Sequence, residues 1–134
     1  MSLERFVRAQ EGSYEQALSE LRKGRKESHW MWFIFPQIAG LGRSETARFY
    51  AVESLDEAQG YLAHPVLGPR LVEATHATLA APGSAEAIFG PVDAAKLRSS
   101  MTLFEAAADD LAPFRAALDR FFGGERDPET VRRL

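Results

Sequence analysis

Two stretches of this 134-residue chain hold side chains whose types and spacing could do chemistry. Ser28-His29-Trp30-Met31-Trp32-Phe33-Ile34-Phe35-Pro36-Gln37 gathers both tryptophans and a histidine between hydrogen-bonding residues. Lys96-Leu97-Arg98-Ser99-Ser100-Met101-Thr102-Leu103-Phe104 sets a basic pair and two hydroxyls against the apolar face of an expected helix. Brought together, they would make an aromatic-walled, cationic, hydroxyl-bearing pocket. Trp30 or Trp32 would stack a planar ring, while Lys96 and Arg98 bound anionic oxygens, Arg98 through two donors at once. Ser28, Gln37, Ser99 and Ser100 would fix orientation. His29 is the candidate for proton transfer, because imidazole titrates near neutrality.

Each of these residues also has a purely structural reading. Six apolar residues in a row, Trp30 to Phe35, suit a core, and Ser28 suits a helix cap. His29 lacks a sequence-adjacent acid or nucleophile that would mark a triad. Arg98 could pair with Glu105 or another acid, with the serines at close helix contacts. Gly40-Leu41-Gly42-Arg43-Ser44 resembles a loop able to hold an anion, making Arg43 and Ser44 further ligand candidates. It lacks the Gly-Lys-Ser/Thr ending of a P-loop, and Ser44 could simply cap the helix around Arg48-Phe49-Tyr50. The basic run Arg22-Lys23-Gly24-Arg25-Lys26 complements a helix C-terminus or touches a phosphate, and it leads straight into Ser28-His29-Trp30. His29, His64 and His76 show neither a HExxH spacing nor a histidine–carboxylate cluster, so no metal and no cofactor is expected. His64 reads as a turn residue and His76 as a helix-surface one. Asp109-Asp110 reads as a solvated helix end, and Glu45 and Glu53 could act only if folding brought them to the aromatic cleft.

The elements that would position these groups are helical. Ser13-Tyr14-Glu15-Gln16 and Ser54-Leu55-Asp56-Glu57 follow the capping-box pattern. Tyr14, Ala17, Leu18 and Leu21 form an amphipathic stripe that Gly24 can end. Pro65 suits the first turn of the next helix, with Leu67, Leu71, Ala74 and Thr78 along one side. Ser84 caps a short helix ending near Gly90-Pro91. Leu97, Met101, Phe104 and Ala108 make a second stripe, and Pro113 opens a helix carrying Phe114, Ala117, Leu118, Phe121 and Phe122. Asp127-Pro128-Glu129 heads a short terminal helix. Only Trp30 to Phe35 could be a strand, and no segment alternates with period 2 long enough to pair with it, so it is read as a buried helical turn. The expected fold is all-α: a bundle of about six to eight short helices around an aromatic-rich buried segment, one domain over residues 1–134.

Composition sets the outer bounds. A hydrophobic share of 46% and a charged share of 26% are ordinary for a globular domain long enough to bury its own core. The net charge of −3 offers no general attraction for nucleic acid or anionic membrane, so nucleic-acid binding is disfavoured. Cysteine is absent, which removes disulfides, thiolate nucleophiles and cysteine metal sites, and suits a reducing compartment. The charged opening Met1-Ser2-Leu3-Glu4-Arg5 is unlike a signal peptide, and no apolar run approaches the roughly 20 residues of a membrane span. A cytoplasmic protein is expected.

Ser28 to Gln37, Gly40 to Ser44, His64-Pro65-Val66-Leu67-Gly68 and Lys96 to Phe104 together resemble a bacterial family, the domain of unknown function numbered 1810. The likeness runs from Leu3-Glu4-Arg5-Phe6 to Asp127-Pro128-Glu129-Thr130. It implies a compact, mostly helical domain and supplies no reaction. The label "calpastatin" carried by some members denotes a disordered inhibitor and does not fit capped helices around an aromatic core. The expected function is to bind or act on a small phosphorylated or nucleotide-like ligand, hydrolytic or glycosidic cleavage being the first reaction to test. The alternative is a non-enzymatic module that takes a protein or peptide partner in an apolar groove.

Overall fold

The computed structural model describes residues 3–134; Met1 and Ser2 of the charged opening lie outside the described residues. The described residues form ten helices, six of them eight residues or longer. In chain order these are α1 (Glu4–Glu11), α2 (Tyr14–Lys23), α3 (Met31–Ile34), α4 (Glu45–Phe49), α5 (Leu55–Ala63), α6 (Leu67–Ala80), α7 (Ala85–Phe89), α8 (Pro91–Ala107), α9 (Ala112–Phe122) and α10 (Pro128–Arg132). The all-α expectation holds, and the count exceeds six to eight because connecting segments coil into single turns. The aromatic run is one of these, the four-residue α3. The nearest approach to a sheet among the described residues is one parallel bridge between Ile38 and Val52. There Val52 N–H donates to Gln37 O and Ala39 N–H to Val52 O, both at 2.8 Å.

The helix ends follow local chemistry. Ser44, Ser54, Ser84 and Asp127 each accept a backbone N–H from the first turn they precede. Ser13 stands at the start of α2 but makes no such bond, and Gln16, the other half of the capping-box pattern, turns its amide toward Glu20. His64 caps α6 from outside the helix, its Nδ1 accepting from Val66 N–H at 3.1 Å and Leu67 N–H at 3.3 Å. Pro69 fits because it lies in the first turn, where its missing N–H would have had no partner. Gly68 lets α6 pass so near α5 that a Cβ there would stand 2.1 Å from Leu62 O.

α8 is the central element and packs against α5, α7, α9 and α10, while α6 bridges α2, α5 and α9. Two aromatic groups fill the interior. One is a chain through Phe6, Tyr61, Phe104 and Phe114, with centroids 5.2, 5.2 and 6.0 Å apart. The other is the triangle Trp30–Phe35–Phe89, with centroid separations of 6.1–6.4 Å. Each such side chain contributes about 1.5–3 kcal/mol by leaving water. Gln10 ties α1 to α3, donating to Phe33 O at 2.8 Å and to the Tyr61 hydroxyl at 3.1 Å.

Two buried carboxylates hold the irregular segments. Glu20, fully buried on α2, accepts five hydrogen bonds, from Glu27 N–H, Ser28 N–H, Ser28 Oγ, Trp30 Nε1 and Gln16 Nε2. Glu105 on α8 is gripped through both oxygens by Arg126 and through one by Arg115. Burial by itself would raise both carboxyl pKa values. At Glu20 the hydrogen bonds from Ser28, Gln16 and the Ser28 and Glu27 backbone outweigh it and hold the group far below its usual range. At Glu105 the bonds from Arg126 and Arg115, with their charges, do the same.

A folded-state pKa below the unfolded one gives stability that is present above the unfolded value and lost as pH falls through the folded one. Thermal melts should therefore be flat near neutrality and decline as pH drops below about 4.5; an acid-independent profile would contradict these anchors. Glu20→Gln places an amide donor among converging donors and should cost about 3 kcal/mol in chemical denaturation.

Candidate functional site

The short loop between α2 and α3 is shaped by Glu20, and its register decides which aromatic goes inward. With Trp30 Nε1 held 2.9 Å from Glu20, that indole is buried at 1% exposure in the Trp30–Phe35–Phe89 triangle. A ring so enclosed has no open face to stack a ligand. Ser28 likewise donates its hydroxyl to Glu20. His29 and Trp32, flanking Trp30, are left at the surface, and both line a pocket of about 320 Å³.

The opposite wall of this pocket is the Phe89-Gly90-Pro91 junction and the first turn of α8. Lys26, carried from the basic run, comes up beside Lys96, and the two ammonium groups converge on Asp93. Lys26 Nζ stands 2.9 Å and Lys96 Nζ 3.4 Å from its carboxylate. Lys26 also lies over the Trp30 ring at 5.2 Å and Lys96 over the Trp32 ring at 5.1 Å. The two signature stretches thus meet through Lys96 and Trp32. One carboxylate between two lysines leaves the cluster with a net positive charge. Each ammonium carries three donors and is ion-paired with Asp93.

The other candidates lie elsewhere. Arg98 donates to Glu125 O and Arg126 O, both at 2.9 Å, and stands 3.5 Å from the Glu125 carboxylate, so its fork is taken up by the α9–α10 connection. The Ser99 hydroxyl lies 3.2 Å from both Ala95 O and Asp127 Oδ2, either of which can accept its one proton. Ser100 is fully buried, and its hydroxyl has no hydrogen-bond partner among the described residues. Thr102 joins this platform, accepting from Asp127 N–H at 3.0 Å. The basic-hydroxyl stretch therefore divides, Lys96 facing the pocket and Arg98 and Ser99 holding the C-terminal segment.

Ser44 caps α4, its hydroxyl accepting from Ala47 N–H at 3.1 Å. Gly40 takes φ +99°, a conformation other residues rarely adopt, and a Cβ on Gly42 would fall 2.4 Å from Ala47 Cβ. Arg43 is exposed and makes no ion pair or side-chain hydrogen bond among the described residues. Gln37 shares a narrow recess with Trp32, Gly42 and Tyr50, apart from the lysines. Of the sequence candidates, the pocket gathers His29, Trp32 and Lys96. Lys26 and Asp93 complete it. Lys26 was visible only as part of a basic run and Asp93 only as an acid near a helix start.

Compact helices around one aromatic core, with a small basic pocket walled by an indole, define the type of protein. The chain belongs to the family of proteins of unknown function DUF1810, whose model matches residues 1–134, in agreement with the four motifs. Its fold is similar to that in the crystal structure of the conserved hypothetical protein Rv1873 from Mycobacterium tuberculosis. The two are 52% identical, with a TM-score of 0.95 over 97% of this chain and 94% of that one. No functionally curated protein matches the chain.

Removing the partnerless hydroxyl with Ser100→Ala should raise stability by about 1 kcal/mol. Arg98→Ala should lower it by a similar or larger amount, as carbonyls of residues 125 and 126 lose their donors. A Ser100→Ala variant less stable than its parent in urea denaturation would show that the hydroxyl is satisfied.

Proposed function

We propose that this protein binds a small phosphorylated ligand in the pocket between α3 and the start of α8. The observation that carries this reading is the convergence of Lys26 and Lys96 on Asp93 beside the partly buried ring of Trp32. Two ammonium groups held by one carboxylate are positioned before a ligand arrives and keep donors for it, so little order is lost on binding. Trp32 offers an apolar wall, and His29 at the pocket's edge is the one imidazole available for proton transfer. His29 makes no hydrogen bond to an acid or hydroxyl among the described residues that would orient it as a general base, so binding is the better-supported part of the reading.

A cytoplasmic setting belongs to the same proposal. It rests on a chain without cysteine, suited to a reducing compartment. Among the described residues no helix is long and apolar enough to cross a membrane.

Titration with inorganic phosphate and ribose 5-phosphate, followed through the two indole N–H signals, tests the reading. Saturable, salt-sensitive shifts are expected, larger at the partly exposed Trp32 than at the buried Trp30. Lys96→Ala should weaken binding about tenfold, the loss of one charge-assisted hydrogen bond, while Arg98→Ala leaves it unchanged. Shifts abolished by Arg98→Ala but not by Lys96→Ala would move the site off this pocket. Silence with both probes would reject it in favour of an interaction module.

A further inference from the structure

The ring of Trp32 borders more than the basic pocket. On another side it joins Phe33, Phe49 and Tyr50 in an open recess of about 530 Å³. This recess is built of aromatic faces and edges. Phe49 and Tyr50 meet edge to face with centroids 4.8 Å apart, and Phe33 lies 5.3 Å from Tyr50. Phe49 is half exposed, an unusual position for a phenylalanine with no covering element. Its main chain is fixed from behind, where Arg5 Nε donates to Phe49 O at 2.8 Å.

Charge distinguishes the two compartments. Among the described residues the one charged group lining the aromatic recess is the acid Glu45, whereas the basic pocket carries Lys26 and Lys96 around Asp93. An anion is therefore repelled from the first and drawn to the second. The ammonium of Lys96 stands 5.1 Å from the Trp32 ring centroid, so an anion held there lies against the indole that walls the recess. Trp32 lines both compartments, so a ligand that carries an anion and a planar ring can use the two together across one shared indole. Aromatic side chains hold such rings by stacking, with little demand on their substituents.

We infer that the ligand is a phosphate joined to a planar aromatic ring, of nucleoside monophosphate size, with the phosphate at Lys26 and Lys96 and the ring in the Trp32–Phe49–Tyr50 recess. This rests on the phosphate-binding reading above and adds the identity of the second half of the ligand. Trp32 is then shared by both halves, and Phe49 determines specificity for the ring.

Three probes separate the two halves: ribose 5-phosphate, adenosine and adenosine 5′-monophosphate, titrated into the intact protein and into Phe49→Ala and Lys96→Ala. The monophosphate should bind about tenfold tighter than ribose 5-phosphate, the increment that one stacked base supplies. Phe49→Ala should erase that increment and leave ribose 5-phosphate unchanged, while Lys96→Ala weakens both phosphates. Equal binding of the two phosphates, or an increment that survives Phe49→Ala, overturns the ring assignment and leaves phosphate binding standing. Adenosine binding as tightly as its monophosphate, or no binding by either phosphate, overturns the phosphate reading and the ring assignment with it.

Discussion

Everything at the candidate site descends from the placement of one buried carboxylate. Glu20 faces inward from α2, and a lone carboxylate there would be far too costly to keep charged. Five donors make it tolerable, and four of them come from the loop that follows, at Glu27, Ser28 and Trp30. The loop is therefore wound around the carboxylate in one register. In that register Trp30 enters the core while His29 and Trp32 stay out, and Lys26 is directed to α7, its N–H donating to Ile88 O at 2.7 Å. Shift the loop by one residue and the indole N–H loses its acceptor, the Trp30–Phe35–Phe89 triangle loses a vertex and the pocket loses its wall.

α8 provides the matching constraint from the other side, and it separates two tasks along its length. The first turns present Asp93 and Lys96 to the pocket. The middle and end, through Arg98, Ser99, Thr102 and Glu105, fasten the segment from Glu125 to Thr130. Thr130 is itself fully buried, donating its hydroxyl to Asp127. Polar groups at Ser99 and Thr102 are a poor choice for helix propensity. They are accounted for by what they hold, since the short α10 has too little apolar surface to dock unaided.

Much of the helical architecture was legible in the chain, because capping and periodicity are local. The caps at Ser44, Ser54, Ser84 and Asp127 and the stripes along α2 and α8 follow directly from residue types a few positions apart. The site was legible only in part, for a physical reason. Ser28, Trp30, Arg98 and Ser99 have the chemistry of ligand-binding groups, but inside a small protein the same chemistry must first satisfy other buried polar groups. Which donor meets which acceptor depends on contacts between residues far apart in sequence, such as Arg98 with the carbonyl of Glu125. Glu20 carries no local signal for the same reason, since its donors arrive from a loop that only the fold wraps around it. The meeting of Trp32 with Lys96, by contrast, needed only that the two signature stretches touch.

The Asp93 carboxylate between the two lysines bears on how the pocket can work. In an exposed setting, two like charges brought this near would splay apart, and a flexible lysine would give up much rotamer freedom to bind an anion. Asp93 removes most of the repulsion and fixes both ammonium groups in the pocket that Trp32 walls, at the cost of one positive charge. The result is a modest net field with well-placed donors, which favours discrimination by geometry over indiscriminate attraction of anions. A stronger basic cluster would attract many polyanions, whereas this one needs a ligand that also makes use of the indole wall.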